Sequence, residues 1–167
     1  TKTKLIDIGE NIHFHGMVSD VMIVDEPQEY LIVSEKLNSN NHDELFAPLC
    51  NHIGYCNHEN LNIGHAYGAI VSVKDMNKNT PDTYLYFFIK VSKVVGHKYM
   101  IKKKGKYAVI YLKGNYYDAE QAYNLLLEYI KENKMTAGEY CYKEAIWDEL
   151  TVADENEYIT KISIPIN

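Results

Sequence analysis

Arginine is missing from this chain. All 17 basic residues are lysines, set against 23 acidic residues, for a formal net charge of −6. Arginine is the usual residue for bidentate recognition of phosphate and guanine. Its absence, with a net acidic charge, argues against direct nucleic-acid binding by this chain. Cysteine is scarce: Cys50, Cys56 and Cys141 are odd in number and lack a framework spacing. No apolar run reaches 18 residues, and the first 20 residues lack the apolar stretch of a signal peptide. A cytoplasmic setting without membrane contact is therefore expected. The motifs G-x-S-x-G, H-E-x-x-H, G-x-G-x-x-G and the P-loop are absent, so no catalytic residue and no cofactor is assigned. The chain begins at Thr1 rather than Met, which reads as a processed protein, a cloning scar or an excised domain.

What the sequence has in excess is tyrosine: 15, against four Phe and one Trp. Tyr joins a large apolar ring to one polar tip, which suits wet core edges or a lined cavity. A length of 167 residues, 46% hydrophobic and 24% charged, fits one globular domain or two small fused halves.

Alternating β-branched and aromatic runs mark strands at 21–37 (broken at Pro27), 66–74, 83–94, 139–147 and 157–166. "KYMIKKKGKYAVIYLKG" (98–114) reads as a hairpin with Gly105 at the turn, its "KKKGK" a solvated bend. Two helices are predicted. In 115–134, Ala119, Ala122, Tyr123, Leu126, Leu127 and Ile130 form one apolar stripe behind a cap at Asn115. The second covers 42–55 and contains Pro48, which must sit near the first turn or bend it.

The order strand, helix, strand, strand thus occurs twice. The expected fold is α+β: tandem duplicated βαββ units with pseudo-twofold symmetry, antiparallel sheets, two main helices and a central cleft. Residues 1–19 read as an N-terminal extension or linker and 20–167 as the domain, with halves at about 20–94 and 95–167. "AYGAIVSVKDMNKNTPDTYLYFFIKV" and "YCYKEAIWDELTVADENEYITKISIPI" share a layout, which is a trace of the duplication. Ligand sites favour such junctions.

Within the second of these, Lys143 and Glu144 are adjacent on an alternating strand. Neighbouring strand residues face opposite sides, so one charge must point inward, where an unpaired charge is costly. A Glu144 facing inward would have its pKa raised by desolvation, and a bound cation would restore its charge.

The stretches "AYGAIVSV" (66–73), "TYLYFFIKV" (83–91), 104–135 and 148–166 resemble the GyrI-like effector-binding domain of MerR-type, multidrug-responsive transcription regulators. The resemblance spans roughly residues 20–166. It implies a sensor for a small hydrophobic, aromatic or cationic ligand, with tyrosines lining the pocket and a buried glutamate at its base. Tyr67, Tyr84 and Tyr158 match lining positions, and Phe46 falls near another. Without gaps, the acidic position falls on Lys143, so either a bulge turns Glu144 inward or this pocket carries a lysine. DNA would be met only through an N-terminal domain that this sequence lacks, and a homodimer would belong to the full-length regulator.

Tyr111 and Trp147 complete the candidate aromatic lining beside Phe46, Tyr67, Tyr84 and Tyr158; core packing is the competing reading of each. Cys50, His52, Cys56 and His58 offer metal-ligand types in C-x-H-x₃-C-x-H spacing, which matches no zinc pattern, and no metal is assigned. Two other functions stay open. One is a small hydrolase with Glu144 as general base, and the other is a module that binds and inhibits a protein.

Overall fold

The structure, a computed structural model, describes residues 12–61, 67–76, 82–92, 96–114, 119–147 and 154–167, with the side chains of His42, Trp147 and Glu155 outside the description. Among these residues the strands are β1 Phe14–His15, β2 Val18–Ser19, β3 Met22–Glu26, β4 Glu29–Val33, β5 Gly68–Ser72, β6 Tyr84–Val91, β7 Tyr99–Lys102, β8 Gly105–Lys113, β9 Tyr140–Trp147 and β10 Ile159–Pro165. The helices are α1 His42–His58 and α2 Glu120–Glu132. The predicted cap at Asn115 lies outside the described residues. No helix among them is long and apolar enough to cross a membrane.

The central strand order is β4-β6-β5-β9-β10-β8, every pair antiparallel. It reads the same from either end once the halves are exchanged, so the duplication is visible in the pairing, with β5 against β9 at the middle. The helices repeat it too. Asn60 (φ 55°) follows α1 and Lys134 (φ 55°) follows α2, each in the left-handed region. The next amides, Leu61 and Met135, bond back to the Cys56 and Ile130 carbonyls at 2.8 and 3.0 Å. Both helices therefore end in the same Schellman motif, which satisfies carbonyls that the helix leaves without partners.

The sequence reading placed a hairpin at 98–114, and the structure corrects it. β7 pairs with β4 and β8 pairs with β10, β2 and β3; β7 and β8 do not pair with each other. Residues 99–113 form one long strand bent at Lys103–Lys104, and 22–33 form another bent at Pro27–Gln28. One register runs along both, from Met22↔Val109 through Glu26↔Gly105 and Glu29↔Lys102 to Ile32↔Tyr99. Each half thus lends an edge strand to the other, and the sheet closes on itself as a flattened barrel without a free edge at this seam. The "KKKGK" bend is correspondingly mixed: Lys103, Lys104 and Lys106 are exposed, but Lys102 is fully buried.

The first strands also belong to the sheet. Val18 is buried opposite Leu112, and Ser19 Oγ accepts from the Tyr111 amide at 2.8 Å.

Strand alternation divides the core in two. Outward, under the helices, Val71, Phe87, Ile110, Cys141 and Ile162 pack with Ala122, Tyr123, Leu126 and Ile130 of α2, while Ile32 and Ile89 pack with Cys56 of α1. Inward, Leu31, Ile70, Phe88, Tyr107, Val109 and Tyr142 fill the barrel. Gly68 is required on β5, because a Cβ there would lie 2.4 Å from the Phe88 ring and 2.7 Å from the Lys143 carbonyl oxygen.

Candidate functional site

Helix α1 starts well and docks poorly. Asn41 caps it, its Oδ1 accepting from the Asp43 amide at 3.0 Å, and Asp43 and Glu44 lie in the first turn, where the helix dipole favours them. Pro48 sits inside the helix beyond that turn and has no amide to bond back along it. Glu44, Leu45, Pro48, Asn51, His52 and Tyr55 recur at helical spacing and, with Val33–Leu37, Ser39 and Lys98, line a cavity of about 610 Å³. Tyr55 Oη meets His97 Nδ1 at 2.6 Å and Lys98 pairs with Glu35 at 3.8 Å, joining the helix and the 33–39 segment to the residues just before β7.

His52 is the polar group set deepest in this lining. It is buried, and burial lowers its pKa to about 4, so its ring is neutral at physiological pH. Its Nε2 lies 3.8 Å from Cys56 Sγ, one turn on, and its ring meets the Tyr67 ring edge-on at 5.8 Å. The Tyr67 hydroxyl is buried without a hydrogen-bond partner. Burial pushes the Cys56 thiol up, and burial and then Cys56 push Tyr67 up.

The paired charges on β9 have an unexpected disposition: Lys143 and Glu144 are both buried, on opposite faces. Lys143 points outward beneath α2. Its Nζ donates to Asp82 Oδ2 at 3.1 Å and Tyr84 Oη at 3.3 Å, and lies 5.4 and 5.5 Å from the centres of the Tyr84 and Tyr123 rings. Tyr123 Oη donates to the same Asp82 oxygen at 2.6 Å. Burial works against the Lys143 charge, but Tyr84 and Asp82 outweigh it and its pKa is raised.

Glu144 points into the barrel. Its Oε1 pairs closely with Lys90, and its Oε2 lies 3.7 Å from Lys102 Nζ. Glu29 completes a ring of alternating charge, 3.0 Å from Lys90 and 3.6 Å from Lys102. Lys161, directly across from Glu144 on β10, pairs with Glu26 at 2.5 Å. Burial raises the Glu144 pKa, but Lys90, Lys102 and Lys161 together pull it below the usual carboxylate range. For Lys102 burial wins, and its pKa is lowered despite Glu144.

The sequence-derived residues therefore separate into several places. Tyr67 lies near His52 on the α1 side, and Tyr84 lies with Lys143 beneath α2. Tyr111 shares the barrel face with Glu144 and the rings of Tyr107 and Tyr142. Phe46 is 71% exposed on α1 and is not part of the cavity lining. Tyr158 is half-buried, its carbonyl accepting from the Gly114 amide at 2.7 Å. Trp147 ends β9, its side chain outside the description. Of the metal-type residues, Cys50 and His58 are exposed whereas His52 and Cys56 are buried. Cys141 is fully buried, its thiol pushed up to about 12 by burial. Sequence reasoning missed Lys90, Lys102, Lys161, Glu26, Glu29 and Asp82. A signal existed for Lys90 and Lys161, which sit at inward positions of apolar strands just as Glu144 does.

Comparison with known proteins bears on this architecture. Residues 19–167 match the family model described as GyrI-like small molecule binding domain. The multidrug-efflux transporter 2 regulator of Bacillus subtilis (strain 168) is 32% identical over 107 residues, covering 64% of this chain but 38% of the regulator. The chain therefore spans well under half the length of that relative. Among solved structures, an EcmrR–DNA complex superposes with a TM-score of 0.71 at 15% identity, covering 99% of this chain and 62% of that one. A hydrolase from Listeria innocua superposes with 0.60 at 8% identity (96% and 98% covered), and SAV2435 bound to tetraphenylphosphonium with 0.53 at 15% (89% and 94%). At such identities the structures speak to fold alone. With the family model matched over nearly the whole length, the chain belongs to the GyrI-like small-molecule binding domains.

Proposed function

We propose that this chain is the ligand-sensing domain of a transcription regulator and that its ligand, a hydrophobic aromatic molecule, occupies the cavity beside α1. One observation carries the proposal: the inner stripe of α1, alongside the packed Leu45 and Cys56, borders about 610 Å³ of open space. A cavity of this size suits a drug-sized ligand. Val33, Leu37, Leu45 and Pro48 supply apolar walls, and neutral His52 and Tyr55 supply polar handles. Charge at the rim is balanced, with Glu35 and Glu44 set against Lys36 and Lys98. Glu35 is balanced by Lys98, whereas the carboxylate of Glu44 accepts from the uncharged Ser39 hydroxyl at 2.9 Å. The lining carries as many lysines as carboxylates, so a positive charge is not demanded of the ligand. In a longer regulator, a helix stabilised by ligand would bias the orientation of a DNA-binding part, a population shift between two states.

Catalysis by Glu144 has weaker support. Three lysines hold it ionised and poorly basic, and it lies inside the barrel.

Calorimetric titration with tetraphenylphosphonium and with neutral triphenylphosphine oxide tests the proposal. Saturable binding of at least one of the two is expected, and Asn51→Trp, which fills the cavity from α1, should weaken it at least about tenfold, roughly 1.4 kcal/mol. Binding unchanged by Asn51→Trp, or no binding of either compound, would sink the proposal.

A further inference from the structure

The barrel interior holds a feature that the α1 cavity does not explain. Lys102 is fully buried, yet its Nζ has no hydrogen-bond partner among the described residues. An ammonium carries three donors, and leaving them unsatisfied in a core is costly. What surrounds this one is a different kind of partner. The Tyr107 and Tyr142 ring centres lie 4.8 and 5.2 Å away. The carboxylates of Glu29 and Glu144 lie at 3.6 and 3.7 Å, within ion-pair range but beyond hydrogen-bond reach. Glu144 Oε2 is likewise buried without a hydrogen bond.

Two aromatic faces and two carboxylates, all at contact distance and none hydrogen-bonded to Lys102, recognise its positive charge through the field alone. That is how aromatic cages hold alkylated ammonium ions, which have few or no N–H groups to offer. The two flanking carboxylates offer the Lys102 ammonium opposite charge on either side. Its burial also balances the interior: Glu26, Glu29 and Glu144 face Lys90, Lys102 and Lys161.

We propose that the barrel interior is a second cation site, shaped for an alkylammonium group, and that Lys102 of the same chain fills it. Lys102 thereby decides whether this face of the domain takes a cation from outside. The side chain reaches the cage from the end of β7, one residue before the exposed bend at Lys103–Lys104, while its backbone pairs with Glu29 on β4. The site lies across the sheet from α1, and its existence is independent of ligand binding beside that helix.

Lys102→Ala removes the propylammonium portion of the side chain, so n-propylammonium is the matching probe. Thermal unfolding is followed at constant ionic strength. The variant should melt lower than the parent, and propylammonium should raise its Tm saturably by several degrees, as ligand linkage requires. 1-Propanol should not. The parent and Lys102→Met, whose interior is already filled, should not respond to the amine. An equal response to propanol, or no saturable response of Lys102→Ala, overturns the proposal. If Lys102→Ala does not fold alone, refolding from urea gives the same decision: recovery with propylammonium but not propanol supports the cage, and recovery with both or neither overturns it. Tetraphenylphosphonium titration of Lys102→Ala, or of Lys102→Met if Lys102→Ala does not fold, keeps the two sites separate, because binding beside α1 should be unchanged.

Discussion

The two helices occupy equivalent places in the duplicated fold and end in the same cap, yet they are packed to different standards. α2 spans 13 residues and buries Ala122, Tyr123, Leu126 and Ile130 against the sheet, with Tyr123 tied to Asp82. α1 spans 17 residues, carries an internal proline and presents much of its inner stripe to a cavity. Duplication thus produced one helix that completes the core and one that holds space open beside it. The proposed sensing role would use such asymmetry, one half keeping the fold while the other answers a ligand, because ligand-responsive elements come from the less stable parts of a structure.

The largest test of the contrast lies under α2. Lys143→Met strips the half-buried Asp82 carboxylate of its cation and should cost about 3 kcal/mol in urea unfolding, the low end for a broken buried pair. It should also change the alkaline limb. The folded pKa of Lys143 is raised, so its stabilisation is complete below the ordinary lysine value and is lost as pH rises through the raised one. The variant should lack that component of the alkaline loss. An unchanged stability would mean that α2 is not anchored through Lys143.

A smaller effect separates the helices directly. Leu126→Ala, at a fully buried position, should cost about 2–5 kcal/mol. Leu45 is also buried but borders the cavity, so Leu45→Ala should cost at least about 1 kcal/mol less, because its cavity-facing side has fewer packed atoms to lose. Equal losses would erase the distinction. The smallest effect is at the cap: Asn41→Ala should cost about 1 kcal/mol. Hydrogen exchange should speed up in α1 amides while those of α2 keep their protection.

Much of the architecture was readable without coordinates. The stripe of α2, the alternation of the strands and the repeated strand-helix-strand-strand order are local or nearly local patterns, and the fold carries all three. The charge pair on β9 was readable too, as a conflict: one of Lys143 and Glu144 had to face inward. Sequence could not show that both are buried, on opposite faces, because that depends on a sheet covered on two sides, by helices without and by its own closure within. The 98–114 segment shows the same limit. Apolar run, lysines and glycine fit a hairpin or a bent strand equally well, since alternation sets which face a residue takes but not which strand it pairs with.

The sequence by itself determined what is short-range: where helices and strands form, which face of each is apolar, and that the unit occurs twice. Only the tertiary structure decided the partners. Lys102 looks solvated among its neighbours 103–106, and its burial arises from Glu29, Tyr107, Tyr142 and Glu144 on β4, β8 and β9. A charge is tolerated in a core only when distant parts of the chain converge to balance it, and that convergence is a property of the closed barrel.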